Sequence, residues 1–211
     1  MSPEDRRREI LEMGAMIALD EGLGRVTARR LADAIGVRPG LVTHYFPTVD
    51  QLLAEIFSAL GAAGRLGFSH VRHSELSPTE YLRGLVGRYT GMERDPVSLM
   101  WLEAWRQAAD RPQLRAAVTA QMETDAAELT ALIAQGVAAG EFLLTDPSRT
   151  SIRIFGILDG QIAASVARAA AAESSIDYAI VVEMAYEFIE REVGLPAGAL
   201  GPESLPAIRT D

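Results

Sequence analysis

The chain has 211 residues, 29 acids against 20 cations, and no cysteine. Such a length buries a core without covalent staples, and the absence of thiols excludes disulfides, thiolate zinc sites and cysteine catalysis, which points to a cytoplasmic setting. A net charge of -9 argues against a protein that coats nucleic acid through bulk charge, because that mode scales with the number of phosphates neutralised.

In chain order, Ser2-Pro3 opens a helix over 3 to 22, with serine as N-cap and proline at the first helical position. Charges up to Arg8 and polar interruptions beyond it leave no signal-peptide core there, and no later stretch has the unbroken apolar length of a membrane span. Helices are predicted next over 27 to 34 and 38 to 45, then from 48 to about 70, where Thr48 and Gln51 form a capping box. Gly61, Gly64 and Gly67 either hinge that fourth helix or permit close packing. Ser77 and Glu80 box the start of a helix over 78 to 93. Asp95-Pro96 and Asp146-Pro147 open helices over 96 to 109 and 147 to 172, with another over 111 to 139 between them and a last one over 175 to 193. Gly22, Gly36, Gly140 and Gly194 stand where helices stop. Apolar residues recur at three and four rather than two, as in Val97, Trp101, Trp105 and Ala108, and no strand is predicted.

The expected fold class is therefore all-α. An N-terminal three-helix helix-turn-helix domain is assigned to 1 to 48, a helical ligand-binding and dimerisation domain to 49 to 194, and an irregular tail to 195 to 211.

The stretch TARRLADAIGVRPGLVTHYF, Thr27 to Phe46, concentrates three arginines, a histidine and a tyrosine on two short helices. It sits in the less acidic part of the chain: residues 1 to 60 hold seven arginines and nine acids, against thirteen and twenty downstream. Thr27 caps the first of the two helices, Leu31 and Ile35 point inward, and Gly36 allows the sharp turn into the next. Val42 and Phe46 then lock the second helix inward, so Gly40, Leu41, Thr43 and His44 project outward toward a major groove. Gly40 admits a close backbone approach, Leu41 and Thr43 offer methyls to thymine, His44 bonds a base or phosphate, and Arg38 reaches a phosphate.

The run VTARRLADAIGVRPGLVTHYFPTVDQLLAEIF, residues 26 to 57, resembles the DNA-binding region of the TetR family of bacterial repressors. By position the resemblance implies DNA contacts at Thr27, Arg38, Pro39, Gly40, Leu41, Thr43, His44, Tyr45 and Thr48. The family often has tyrosine where Thr43 stands and lysine where Val49 stands, and Arg29 with Arg6 to Arg8 are the cations available in their place. GLVTHYF, LMWLEAWRQAADRPQLR and ILDGQIAASV are similar to the BetI-like branch, whose members include a choline-responsive repressor. The resemblance further implies negative regulation released by a small-molecule inducer.

One recognition helix reads too few base pairs to specify a genomic site, so a homodimer on a palindromic DNA operator is expected. The last two helices supply the seam: Gly156, Gly160 and Ala164 recur at fourfold spacing for close approach, flanked by Ile152, Phe155, Ile162 and Val166. Ligand-binding candidates are Tyr89, Met92, Trp101, Trp105, Met122, Asp125, Phe155 and Asp159. Asp125 and Asp159 interrupt apolar stripes, and a buried carboxylate needs a partner. That partner is either Arg106 or Arg153, or a cationic ligand against the faces of Trp101 and Trp105; the inducer is accordingly cationic or hydrophobic. Two rival functions remain, a ligand-binding dimer without DNA recognition and an all-α enzyme. No nucleophile has a neighbouring base in a motif, and His70-x-x-His73 with Glu75, the one metal-like spacing, reads as a solvated helix end, so neither enzyme, cofactor nor metal is expected.

Overall fold

The computed structural model describes residues 2–64, 76–91, 96–144, 146–164 and 179–201, with the backbone alone for 165–170. His70, His73, Glu75, Gly67, Met92 and the side chain of Val166 lie outside the described residues. Among the described residues the regular elements are all helical: α1 Pro3–Asp20, α2 Ala28–Ile35, α3 Pro39–Tyr45, α4 Val49–Ala62, α5 Pro78–Thr90, α6 Pro96–Ala108, α7 Pro112–Ala138, α8 Pro147–Ala170 and α9 Ala179–Val193. A single 3-10 turn, Leu23–Arg25, joins α1 to α2.

Caps explain the boundaries. Ser2 with Asp5 and Ser77 with Glu80 form reciprocal boxes at α1 and α5. Thr27 and Thr48 accept from Arg30 N and Gln51 N at 3.1 Å each. The second box is only half made, because the Gln51 side chain donates to Glu55 at 3.0 Å, and a carboxylate one turn onward is a better acceptor for the amide than a helix amide is a donor to it. Gly36 closes α2 at φ +71°, a conformation that costs glycine nothing. α4 is shorter than its predicted span to about 70: it ends at Ala62, and Gly64 follows at φ +70°.

The chain divides into two compact units, residues 1–70 with 95–124, and residues 71–94 with 125–211. This division by packing is not the functional division expected at residue 48. In the first unit Val42 and Phe46 of α3 turn inward, as their spacing predicts, to meet Ile10 and Ile17 of α1, Leu31 of α2 and Leu53, Ile56 and Phe57 of α4 in one core. α6 adds Met100 and Trp101 and the start of α7 adds Leu114 and Val118. Trp101 meets Phe57 edge-on, with ring centroids 5.1 Å apart. A Cβ at Gly61 would meet the end of the Gln121 side chain.

The second unit packs Leu82 and Val86 of α5, Leu129 and Ile133 of α7, Ile154 and Leu158 of α8 and Ile189 of α9. Its tail is irregular through Gly201, yet docked: buried Glu190 accepts from Gly198 N and Leu200 N at 2.9 and 2.8 Å. Arg83 adds a bond to the Ala199 carbonyl at 2.7 Å. Two backbone amides thus meet the oxygens of this buried carboxylate.

Candidate functional site

α3 is held by its apolar side, so its other side is free. Val42 is fully buried and Phe46 nearly so, while Arg38, Pro39, Gly40, Thr43 and His44 are exposed and Leu41 and Tyr45 half-buried. Thr27, Arg29 and Thr48 are exposed around this helix, so all ten residues assigned to DNA lie on the first unit's surface or at its edge. A Cβ built on Gly40 meets nothing within 4 Å, so that glycine is not needed for packing. Thr43 Oγ1 donates to the Gly40 carbonyl at 3.2 Å. The Thr27 and Thr48 hydroxyls are engaged as caps, leaving hydroxyl hydrogens to donate.

The arginines differ in availability. Arg6 pairs with Glu9, Arg7 with Glu55 and Arg8 with Asp5. Arg7 also lies 4.9 Å over the Phe46 ring, tying α1 to the end of α3. Arg30 bonds Glu21, holding that carboxyl below its usual range. Among the described residues, neither Arg29 nor Arg38 has an acid within ion-pair distance. Arg29 and Arg38 thus carry no ion pair among the described residues, whereas Arg6, Arg7 and Arg8 each have one.

Two positioning residues escaped the sequence reading. Asp50, two residues past Thr48, accepts from Gln113 N and Leu114 N at 3.0 and 2.9 Å, so an acid in the first turn of α4 caps α7 instead of its own helix. Glu103 on α6 accepts from Gly24 N at 2.7 Å, in the loop before α2. Neither contact has a local sequence signal, because the partners are 63 and 79 residues apart.

The ligand candidates fall in different units. Trp101 and Trp105 lie together, centroids 5.5 Å apart, against the first unit's core, and Met122 in the same unit is 44% exposed. Tyr89, Asp125, Phe155 and Asp159 belong to the second. There Asp125 is buried and Phe155 half-buried. Burial pushes the Asp159 carboxyl up to about 6. The Tyr89 phenol is pushed up to about 12, first by burial, against the opposing Arg88 guanidinium and with Asp125 and Asp159 reinforcing it, which places all three charges in electrostatic reach of its hydroxyl. Arg153, a possible partner for them by sequence, bonds Glu192 at 2.7 Å and lies over the Phe188 ring.

On the last two helices, Ile152, Ile180 and Met184 are 65%, 62% and 47% exposed. Gly156 and Gly160 face open space, while Ile162, predicted on the seam, is buried in its own unit because its side of α8 carries Ile154 and Leu158 into that core.

A family model described as "Bacterial regulatory proteins, tetR family" matches residues 10–56. The transcriptional repressor KstR2 of Mycolicibacterium smegmatis is 27% identical over 66% of this chain and 69% of its own length. The transcriptional regulator BetI 1 of Chromohalobacter salexigens is 31% identical over 52% of this chain and 56% of its own. Among solved structures, a TetR transcription regulator of Haloarcula marismortui superposes with TM-score 0.67 at 22% identity, over 90% of this chain and 97% of its own. A transcriptional regulator of Saccharomonospora viridis in complex with choline gives 0.68 at 18%, over 89% and 96%.

Proposed function

This chain belongs to the TetR family of bacterial regulators, and from that premise we propose that it is a ligand-responsive repressor that grips a palindromic operator as a homodimer. The observation that carries the reading is α3 itself: anchored by Val42 and Phe46, it offers Arg38, Gly40, Thr43 and His44 to solvent beside an unpaired Arg29. Leu41, Thr43 and His44 read base edges, Arg29, Arg38 and Thr48 fix the register on phosphates, and Pro39, Tyr45 and Thr27 shape the approach. The test is a gel shift with the inverted repeat nearest its own gene; a wild-type protein with no salt-sensitive preference for any inverted repeat would sink the reading. No described helix is long and apolar enough to cross a membrane.

Dimerisation is assigned to α8 and α9, supported by the exposed Ile152, Ile180 and Met184 and the open faces of Gly156 and Gly160. Ile152→Glu with Met184→Glu is expected to yield a folded monomer by light scattering, with operator affinity lost; a dimer of unchanged stability would refute the seam. Two recognition helices must meet successive major grooves, about 34–36 Å apart, so any effector that favours another spacing releases DNA.

The effector reading is a small organic cation held by Asp159 and Asp125, beside Tyr89 and Phe155. The supporting observation is Asp159, a carboxyl whose burial penalises its charge. A cation restores what burial removes. The choline in the Saccharomonospora regulator is in keeping with this class. Because the folded-state value of about 6 lies above the ordinary 3.8, the folded protein holds this proton more tightly than the unfolded chain. Its contribution to stability is full at low pH and is lost as pH rises through 6. Asp159→Asn is expected to abolish that loss, raising stability at pH 7.5 by on the order of 1 kcal/mol after discounting for solvent screening. In calorimetry, wild-type affinity for choline or related amines should rise between pH 5 and 7 and the variant should bind none. Binding of neutral hydrophobes alone would overturn the cationic class.

A further inference from the structure

We propose that the cavity at the α6–α7 corner, lined by Arg106, Gln107, Asp110 and Arg111, binds a phosphoryl group. The cavity measures about 330 Å³ and lies wholly in the first unit, which also holds the recognition helix.

Its chemistry selects an oxyanion. Among the described residues no acid pairs with Arg106 or Arg111, and the cavity has a single carboxylate, Asp110, so two guanidiniums face one acid. Gln107 is only 8% exposed, and its buried Nε2 has no hydrogen-bond partner. Leaving a buried donor unmatched costs about 1–3 kcal/mol, and a bound oxygen recovers it once the Gln107 amide turns into the cavity. The neighbouring backbone does not compete for the ligand. Arg115 already serves the Ala108 and Ala109 carbonyls at the end of α6, at 3.3 and 3.1 Å. Asp50 already caps the first amides of α7. The cavity is left with the donors of three side chains, the Arg106 and Arg111 guanidiniums and the Gln107 amide. One arginine alone suffices for the two oxygens of a carboxylate, whereas donors from three residues around one cavity match the several terminal oxygens of a phosphoryl group.

Two sources present that group. One is free phosphate or a phosphorylated metabolite. The other is a DNA backbone phosphate, for the start of α7 is fastened through Asp50 to the start of α4, where Thr48 is assigned to DNA; this second source rests on the function proposed above.

The test uses the full-length protein in two arms. Inorganic phosphate is titrated at constant ionic strength, followed by calorimetry and by the fluorescence of Trp105, which adjoins Arg106. The Arg106→Gln, Arg111→Gln double variant is expected to weaken phosphate binding about tenfold or more, from the loss of two charge-assisted contacts. Asp110→Asn is expected to tighten it, a gain that misfolding cannot mimic. In the second arm, operator affinity is measured against salt on duplexes with and without flanking base pairs. If the occupant is DNA, the double variant lowers the salt slope by about 1 per arginine on the longer duplex alone. A response in either arm supports the site and identifies its source. Wild-type behaviour of the double variant in both arms overturns it. Failure of the wild-type protein to bind any operator would instead strike the repressor reading and leave the phosphate titration to decide this one.

Discussion

Replacing Arg38 and His44 together by alanine is expected to weaken operator binding about a hundredfold while leaving the melting temperature unchanged. Both side chains are exposed on a helix whose anchors, Val42 and Phe46, are untouched by the change. A base-edge contact is worth about 1–3 kcal/mol and a hydrogen bond to a charged group about 1.5–3 kcal/mol, so the pair reaches the roughly 2.7 kcal/mol that a hundredfold loss requires. Fluorescence anisotropy against salt separates the two: Arg38→Ala flattens the slope for all sequences, and His44→Ala relaxes preference at its base. His44 also packs edge-on to Tyr45, with centroids 5.3 Å apart, so its removal frees the half-buried phenol as well. Gly40→Ala is the complementary variant. The added methyl has open space in the free protein, so any loss of affinity reports the backbone's approach to DNA alone. Unchanged binding in the double variant would remove α3 from the interface.

Phe57→Ala is expected to destabilise the first unit by about 3–5 kcal/mol, a large part of the roughly 5–15 kcal/mol that holds a domain folded. Phe57 is fully buried on α4 and meets Trp101 of α6 edge-on, at an interplanar angle of 88°. Its ring thus joins the helix that leads out of the DNA-binding motif to the helix that carries Glu103. The chain has two tryptophans, both on α6 in this unit. Urea titration followed by fluorescence therefore reports this unit, while circular dichroism reports both. The fluorescence midpoint should fall well below the wild-type value, and operator binding should fail with it. A variant whose fluorescence midpoint matched wild type would contradict the placement of Phe57 at the centre of this core.

The helices, their caps and the turn glycines were legible in the sequence, because each is decided within a few residues. Ser77 and Glu80 bond each other across one turn, Gly36 takes a positive φ that other residues avoid, and the spacing of Val42 and Phe46 dictates which side of α3 is buried. The outward set on α3 follows from the same periodicity. Only the folded structure decided what depends on distant partners. Arg6 to Arg8 resemble a free basic cluster until Glu55 and the Phe46 ring are brought beside Arg7. Trp101 reads in sequence as one face of a cation cage, and the fold buries it in the first unit's core edge-on to Phe57. Asp50 and Glu103 look like solvated acids until the amides of residues 113, 114 and 24 arrive to be capped. Local conformation is set by steric and hydrogen-bonding rules between near neighbours, whereas the availability of a charge or a ring depends on which remote segment reaches it first.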